Sequence, residues 1–375
     1  CEMKICLISV EIFAWGKYGG FGRATRTIGR ELARRGVEVH AVVPRRDGQA
    51  AVEDLDGIIV HGFSPWKPWE AKELLRSIDA DVYHSCEPSM ATYYAQQVCP
   101  HRKHMVTFRD PRDTRDWWME LVRPSLSHLQ VIHNYLYENN PLVRGSIAKM
   151  DAIYTIGKCL VPKVERMYRC GADPEFLPTP VAVPTDYRKN EKPTVAYMAR
   201  LDRRKRPELF LSLAEKFPDV DFIAAGKSRD KKYDQYLRDK YGKLPNLEMT
   251  GFIDQFASNR HSEILEQSWI MVNTATREAL PNSFIEAMSF GCAILSAVNP
   301  DDIASEFGYH AGDDDFVAGL ESLLADDRWK TQGRKGYEYT RDTFETSRSI
   351  ARHLAISERL AGGQRAPGVA QVAST

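Results

Sequence analysis

Nothing in this chain of 375 residues arranges its cysteines for metal or redox work. The seven are scattered, with no C-x-x-C pair and no zinc spacing to histidine. That is the pattern of free or buried thiols in a reducing compartment, so a cytoplasmic protein without a structural metal is expected. No run of eighteen apolar residues occurs, so no membrane-spanning helix is expected. The apolar stretch Ile5 to Val10 lacks the length and cleavage pattern of a secretion signal. Net charge is missing too: Lys plus Arg number 51 and Asp plus Glu 51. No global field therefore calls for nucleic acid as a partner. Neither G-x-S-x-G nor G-x-x-x-x-G-K-[ST] is present, which removes two common enzyme classes.

What is present is a repeated alternation of strand and helix. Apolar residues at 43% and charged ones at 27% are the ordinary balance of a soluble globular protein. The length exceeds one ordinary core, so two domains are expected. Lys4 to Val10 reads as a strand buried on both faces. A glycine-rich loop with Gly16, Gly19, Gly20 and Gly22 follows, then a helix over Arg23 to Arg35, Gly36, and a strand over Val37 to Val43. This is a right-handed βαβ unit. Gly20-Phe-Gly22-Arg-Ala-Thr25 is a partial dinucleotide fingerprint. The acid expected after the second strand is replaced by Pro44-Arg45-Arg46, which disfavours NAD and leaves an NADP oxidoreductase as an alternative. The same loop equally lets a substrate approach the backbone. Arg23, Arg26, Arg30 and Arg34 share one helix face, read either as solvated or as a contact for an anionic acceptor or for lipid headgroups at the inner face of a membrane.

Further strands are expected at Ile58 to His61, Asp81 to His84, Met105 to Phe108 and Ala152 to Ile156. Because open α/β sheets bind ligands at strand C-terminal ends, His84, Glu87, Arg109 and Asp110 are site candidates, against a reading as surface ion pairs. Trp117 to Ser146 looks helical and aromatic, broken at Pro124 and Pro141. Pro178, Pro180 and Pro184 and the charged run after them look like a linker. The expected division is 1–185 for a first domain and 186–345 for a second. A helix at 346–361 is expected to pack back near the first domain, followed by a disordered tail over 362–375. The pattern restarts with a strand at Thr194 to Ala199, a cationic loop over Arg200 to Arg206 and a helix from Pro207. Two doubly wound, Rossmann-like α/β domains facing across a cleft are implied.

The most informative stretch is Arg277-Glu278-Ala-Leu280-Pro281-Asn282-Ser283-Phe-Ile-Glu286, closed by Gly291. Pro281 suits a first helical turn, Ser283 with Glu286 fits a capping box, and Gly291 suits the stop. The plain reading makes Glu286 a cap and Glu278 a solvated side chain. The alternative places an anion at the helix N-terminus. Arg200, Lys205 and Gly251 follow other strands on the same sheet edge, so these loops can converge on one ligand. Two cations and a helix N-terminus neutralise a diphosphate without metal, and carboxylates accept paired hydrogen bonds from sugar hydroxyls. The implied ligand is a nucleoside diphosphate joined to a sugar. The acidic pairs Asp79/Asp81 and Asp219/Asp221 and the run Asp313 to Asp315 are read as solvated and not as metal ligands.

The Glu278-x7-Glu286 segment, the run Ala199-Arg-Leu-Asp-Arg-Arg-Lys-Arg-Pro207 and the first glycine loop together resemble retaining glycosyltransferases of family 4 with the GT-B fold. The resemblance spans nearly the whole chain. It implies metal-independent hexosyl transfer with retention from a UDP-, GDP- or ADP-sugar, with no cofactor. On it, Arg200 and Lys205 bind the diphosphate and stabilise the leaving group. Glu278 binds the hexose, Glu286 the ribose, and N–H groups near Asn282 and Ser283 the distal phosphate, with Leu280 and Pro281 in the same loop. Gly251 and Phe252 border the base, and Gly19 and Gly20 admit the diphosphate and acceptor. The chain departs from the family where many members place a histidine touching the donor sugar. Arg109-Asp110 stands there, with Asp110 or His84 as candidates to fill the space. The acceptor is left open as a saccharide, a lipid or a small molecule. A non-catalytic nucleotide-sugar-binding partner of another transferase is the second reading.

Overall fold

The computed structural model describes residues 3–16, 19–122 and 127–362. The break expected at Pro124 and all but the first residue of the expected tail lie outside them.

Two sheets organise the chain. The first comprises β1 (Lys4–Ile8), β2 (Glu38–Pro44), β3 (Val52–Leu55), β4 (Ile58–Phe63), β5 (Val82–Ser85), β6 (Lys103–Phe108), β7 (Ala152–Thr155) and β8 (Pro174–Phe176). Their spatial order is β3-β4-β2-β1-β5-β6-β7-β8. The second comprises β9 (Thr194–Met198), β10 (Asp221–Ala225), β11 (Leu247–Gly251), β12 (Ile270–Asn273), β13 (Ala293–Ser296) and β14 (Gly308–His310), in the order β11-β10-β9-β12-β13-β14. Pairing is parallel except between β3 and β4. The strands carry continuous buried runs, such as Val39 to Val43, because helices cover both faces.

In each sheet the order reverses once, between β1 and β5 and between β9 and β12. Loops leaving those strands splay apart at a reversal and open a crevice. That geometry decides which loops make the site.

Three strands escape a sequence reading. Val52-Glu-Asp-Leu55 carries two acids where strands favour branched and aromatic residues, and it is an exposed edge. Its turn, Asp56-Gly57, has both residues at positive φ (57° and 86°), as a tight hairpin requires. β8 and β14 are three residues each, too short for periodicity to register.

The first helix begins at Gly20, earlier than the expected Arg23, so the end of the glycine stretch, Gly20 to Gly22, belongs to its first turn. The last helix, Thr346–Gly362, returns to the first sheet. Its Ile350 and Ile356 join the cluster around Leu7, Val82 and Tyr154, and Ser349 Oγ donates to the Pro178 carbonyl at 2.7 Å.

Candidate functional site

Between the two sheets lies a cleft of about 610 Å³, within the usual range for a small-molecule site. The loops after β9 and β12, on either side of the second sheet's reversal, build one wall. They deliver Arg200, Lys205, Glu278, Leu280, Pro281, Asn282 and Ser283 to the same cavity, with Phe252 from the loop after β11. Gly251 itself lies just behind, at φ 79°, with its carbonyl accepting from Gly226 N–H at 2.8 Å.

Lys205 Nζ makes a direct ion pair with Glu278 Oε1, and Asn273 Nδ2 donates to the same oxygen at 3.4 Å. Each of the two side chains expected to touch donor thus neutralises the other. Arg200 Nη1 lies 3.3 Å from Asp202 Oδ2.

The helix after β12 runs Asn282–Ser289, with Pro281 as its N-cap at ψ 127°. Pro281 therefore precedes the first turn, because its extended ψ sets the entry. The expected capping box is not formed: Ser283 sits two positions past the N-cap, and Pro281 has no side-chain acceptor. Asn282 and Ser283, which open the helix, still line the cavity. Gly291 ends the helix as expected, at φ 69° and with its N–H donating to Met288 O at 2.8 Å.

Glu286 does not cap. Its Oε2 lies 3.2 Å from Arg23 Nη1 and 3.4 Å from His261 Nε2. Burial alone would raise its pKa, but Arg23 and His261 outweigh that and hold the carboxyl down at about 2. Both side chains approach from the Oε2 side. Arg23 and His261 line the cleft in front of the carboxylate.

On the arginine face of the first helix, Arg23, Arg26 and Arg30 are taken up by contacts within the protein, while the Arg34 side chain stays 62% exposed. Arg23 Nη1 also donates to Gln255 at 2.8 Å. Arg26 donates to Asp56 and to the Phe13 carbonyl and lies 4.2 Å from the Phe256 ring centre. Arg30 reaches the same ring at 5.5 Å, and Arg34 pairs with Glu31. Contact with the second domain absorbs most of the face. The acidic runs likewise find protein partners: Asp79 and Asp81 with Arg102, Asp221 with Lys192, and Asp314 with Arg206.

Gly19 and Gly20 line the opposite wall, and Asn282 Nδ2 donates across the cleft to Gly20 O at 3.1 Å. A Cβ on Gly19 would come within 2.0 Å of Glu11 Oε1, and the same oxygen accepts from Gly22 N–H at 3.0 Å. The Glu11 carboxylate already holds the start of this helix. A dinucleotide pyrophosphate would need the position that the Glu11 side chain already fills, so the loop does not favour the NADP reading. Glu11 gave no signal in the sequence because it lies in an irregular loop.

His84 is not at the cleft. It is buried, shares a 2.8 Å hydrogen bond with Thr107 Oγ1 and lies near the His353 ring; burial pushes its pKa well down. It points to the face of the sheet that the last helix covers, where His353 lies. Arg109 is 2% exposed and donates to Thr179 Oγ1 at 3.1 Å. Glu87 accepts from the N–H groups of Arg109 and Asp110 at 2.7 and 3.1 Å, and burial raises its pKa to about 8 despite them.

Asp110 does reach the cleft. Burial opposes its charge, but Arg112 at 3.0 Å and Arg277 at 2.6 Å hold its carboxyl far below the usual range. Arg277 Nε also meets Asp116 Oδ1 at 2.7 Å, and Lys163 meets Asp116. Arg204 pairs with Glu120 across the same gap. These residues are partners separated by up to 167 positions, and nothing local in the sequence announces them.

Residues 18–183 match the family model described as Glycosyltransferase Family 4, and residues 184–336 that described as Glycosyl transferases group 1. One subunit of the phosphatidylinositol N-acetylglucosaminyltransferase of Homo sapiens is 25% identical over 162 residues, 40% of this chain. The match spans only 33% of that relative's own length. A sucrose-phosphate synthase from Thermosynechococcus elongatus superposes with TM-score 0.71 at 16% identity, over 97% of this chain and 100% of its own. HepE of Anabaena, solved with UDP and glucose, superposes with TM-score 0.69 at 12% identity, over 95% and 99%. The fold is GT-B: two Rossmann-like domains facing across a cleft.

Proposed function

A chain of GT-B fold carries a glycosyltransferase family domain in each half, and from that premise we propose that it moves a hexose-type sugar from a nucleoside-diphosphate sugar to an acceptor hydroxyl, with retention and without metal. The observation that carries the reading is the convergence of Arg200, Lys205, Glu278 and the Asn282–Ser289 helix start at the sheet reversal between β9 and β12. The diphosphate lies against Lys205, Arg200 and the N–H groups at Asn282 and Ser283. Glu278, released from Lys205, accepts hydrogen bonds from the hexose, and Glu286 Oε1 those from the ribose.

In the transfer, the bond from the anomeric carbon to the diphosphate oxygen breaks. The acceptor oxygen bonds to that carbon on the same face and gives its proton to the departing phosphate oxygen. Negative charge grows on the diphosphate as the bond lengthens, and Lys205 and Arg200 stabilise it most at that point. The likeness to HepE, solved with UDP-glucose, favours a uridine donor among the candidates. The human relative's name favours a lipid-borne acceptor.

The test is a thermal-shift panel of UDP-, GDP- and ADP-sugars in EDTA, followed by mass spectrometry of product. Stabilisation by one donor and transfer without metal are expected. Silence across the panel would end the reading. Buried Arg109, standing where the family resemblance leads to the expectation of a sugar-contacting histidine, favours one rival, a non-catalytic donor-binding partner. Tight donor binding with neither transfer nor slow donor hydrolysis is its signature.

A further inference from the structure

The described residues include thirteen large hydrophobic side chains exposed to solvent, and ten of them fall between Trp66 and Leu142. Chance scatter over the surface is normal, but such concentration marks a contact face. The face is built mainly on two helices, Thr114–Val122 and His128–Glu138. Trp118 and Val122 project from the first, 65% and 57% exposed. Leu129, Ile132 and Leu136 project from the second at helical spacing, with Leu129 81% exposed. The edge contact of Trp117 with Tyr135 at 5.4 Å joins the helices, and Trp66 rests on His133 at 5.1 Å, so the patch is continuous.

Charge selects the occupant. The carboxylates of these helices are engaged inside the protein: Asp116 by Arg277 and Lys163, Glu120 by Arg204, and Glu138 by a partner of its own. The outward charge-bearing side chains are Arg115 and His128. The outward face of the two helices carries Trp, Leu, Ile and Val with Arg115 and His128 as its ionisable groups, and the exposed acid beside Trp69, Glu70, lies 4.0 Å from Lys67; such a face suits the boundary between acyl chains and anionic headgroups. A protein partner of ordinary surface would offer no matching reason for that bias.

The second helix is two-sided. Val131, Asn134 and Tyr137 on its inner side line the cleft, while Leu129 and Leu136 face out. We propose that the helix pair Thr114–Val122 and His128–Glu138 docks on an anionic lipid surface and presents a lipid-borne acceptor to the adjoining cleft. The docking stands on exposure and charge; the acceptor clause rests on the transfer reading above.

The experiment is flotation with phosphatidylcholine vesicles, with and without phosphatidylglycerol, of wild-type protein and of the double variant Leu129→Ser/Leu136→Ser. Both leucines are outside the cleft wall, so circular dichroism and the UDP-sugar thermal shift stay as in wild type. Wild type is expected to float with the anionic vesicles and weakly with neutral ones, and the variant to lose more than about tenfold in affinity. No flotation with either vesicle, or a variant that floats like wild type, overturns the docking. So does a wild-type dimer by light scattering that becomes monomeric in the variant, which would make the patch a self-association face. A protein that floats but shows no UDP-sugar shift keeps the docking surface and loses only the acceptor clause.

Discussion

Arg23 Nη1 of the first domain lies 3.2 Å from Glu286 Oε2 of the second, closing one end of the cleft with a charge pair. The pair ties the carboxylate expected to hold ribose to the helix that follows β1. It leaves that carboxylate ionised, with Arg23 and His261 both on its Oε2 side.

This linkage has a sign. The Glu286 pKa is depressed from 4.5 to about 2, so its stabilising share is present above the ordinary value and is lost as pH falls through about 2. Arg23→Ala removes the main opposing charge and leaves burial, which raises the pKa. Nucleotide affinity of Arg23→Ala should therefore fall between about pH 7 and about pH 5, while wild type stays level, by calorimetric titration with UDP. Parallel profiles would sink the assignment.

Glu278→Ala should abolish turnover with nucleotide-sugar while leaving affinity for UDP alone equal or higher, since the nucleotide does not meet that carboxylate and Lys205 is no longer paired with it. Lys205→Ala should lower turnover by about 10²–10³, the usual cost of one charge-stabilising donor at a leaving group. Single-turnover kinetics separate the two. A Glu278→Ala enzyme that loses UDP affinity equally would place the residue on the nucleotide instead.

Asp110 is held between Arg112 and Arg277, and Arg277 comes from the other domain. Asp110→Asn leaves two close guanidiniums without their shared anion, at a cost of about 3 kcal/mol. A lower melting temperature and a larger radius of gyration by X-ray scattering are expected, because the domains lose a tie. An unchanged melting curve would mean that the network is solvated and slack.

Glu87 runs the opposite way. Its carboxyl is raised from 4.5 to about 8, so the folded state holds a proton that the unfolded chain releases, and stability declines as pH rises through that window. Glu87→Gln, neutral throughout, should flatten the decline between about pH 5 and about pH 9. The comparison is melting temperature against pH for both proteins. Equal slopes would show that the two backbone N–H donors keep Glu87 ionised.

The alternation of strand and helix is legible in the sequence because continuous apolar runs and helical spacing are local patterns. The same holds for the stretch Glu278 to Glu286, whose turn, proline and glycine announce a loop entering a helix. Arg200 and Lys205 are legible too, as cations directly after a strand. Which side chain meets which is another matter. The Lys205 to Glu278 pair, the Arg277 to Asp110 tie and the approach of Arg23 to Glu286 join residues remote in the chain. Their energies depend on the separation of two sheets that no local pattern encodes. His84 illustrates the same limit: a strand end nominates it, but the burial that turns it into the sheet is a property of the layers above. The arginine face of the first helix was equally visible, and only the position of Phe256 decided that it packs against protein. Sequence determined the loops and their chemistry, because those follow from neighbours in the chain. Tertiary structure decided the partners, because charge and burial act through space.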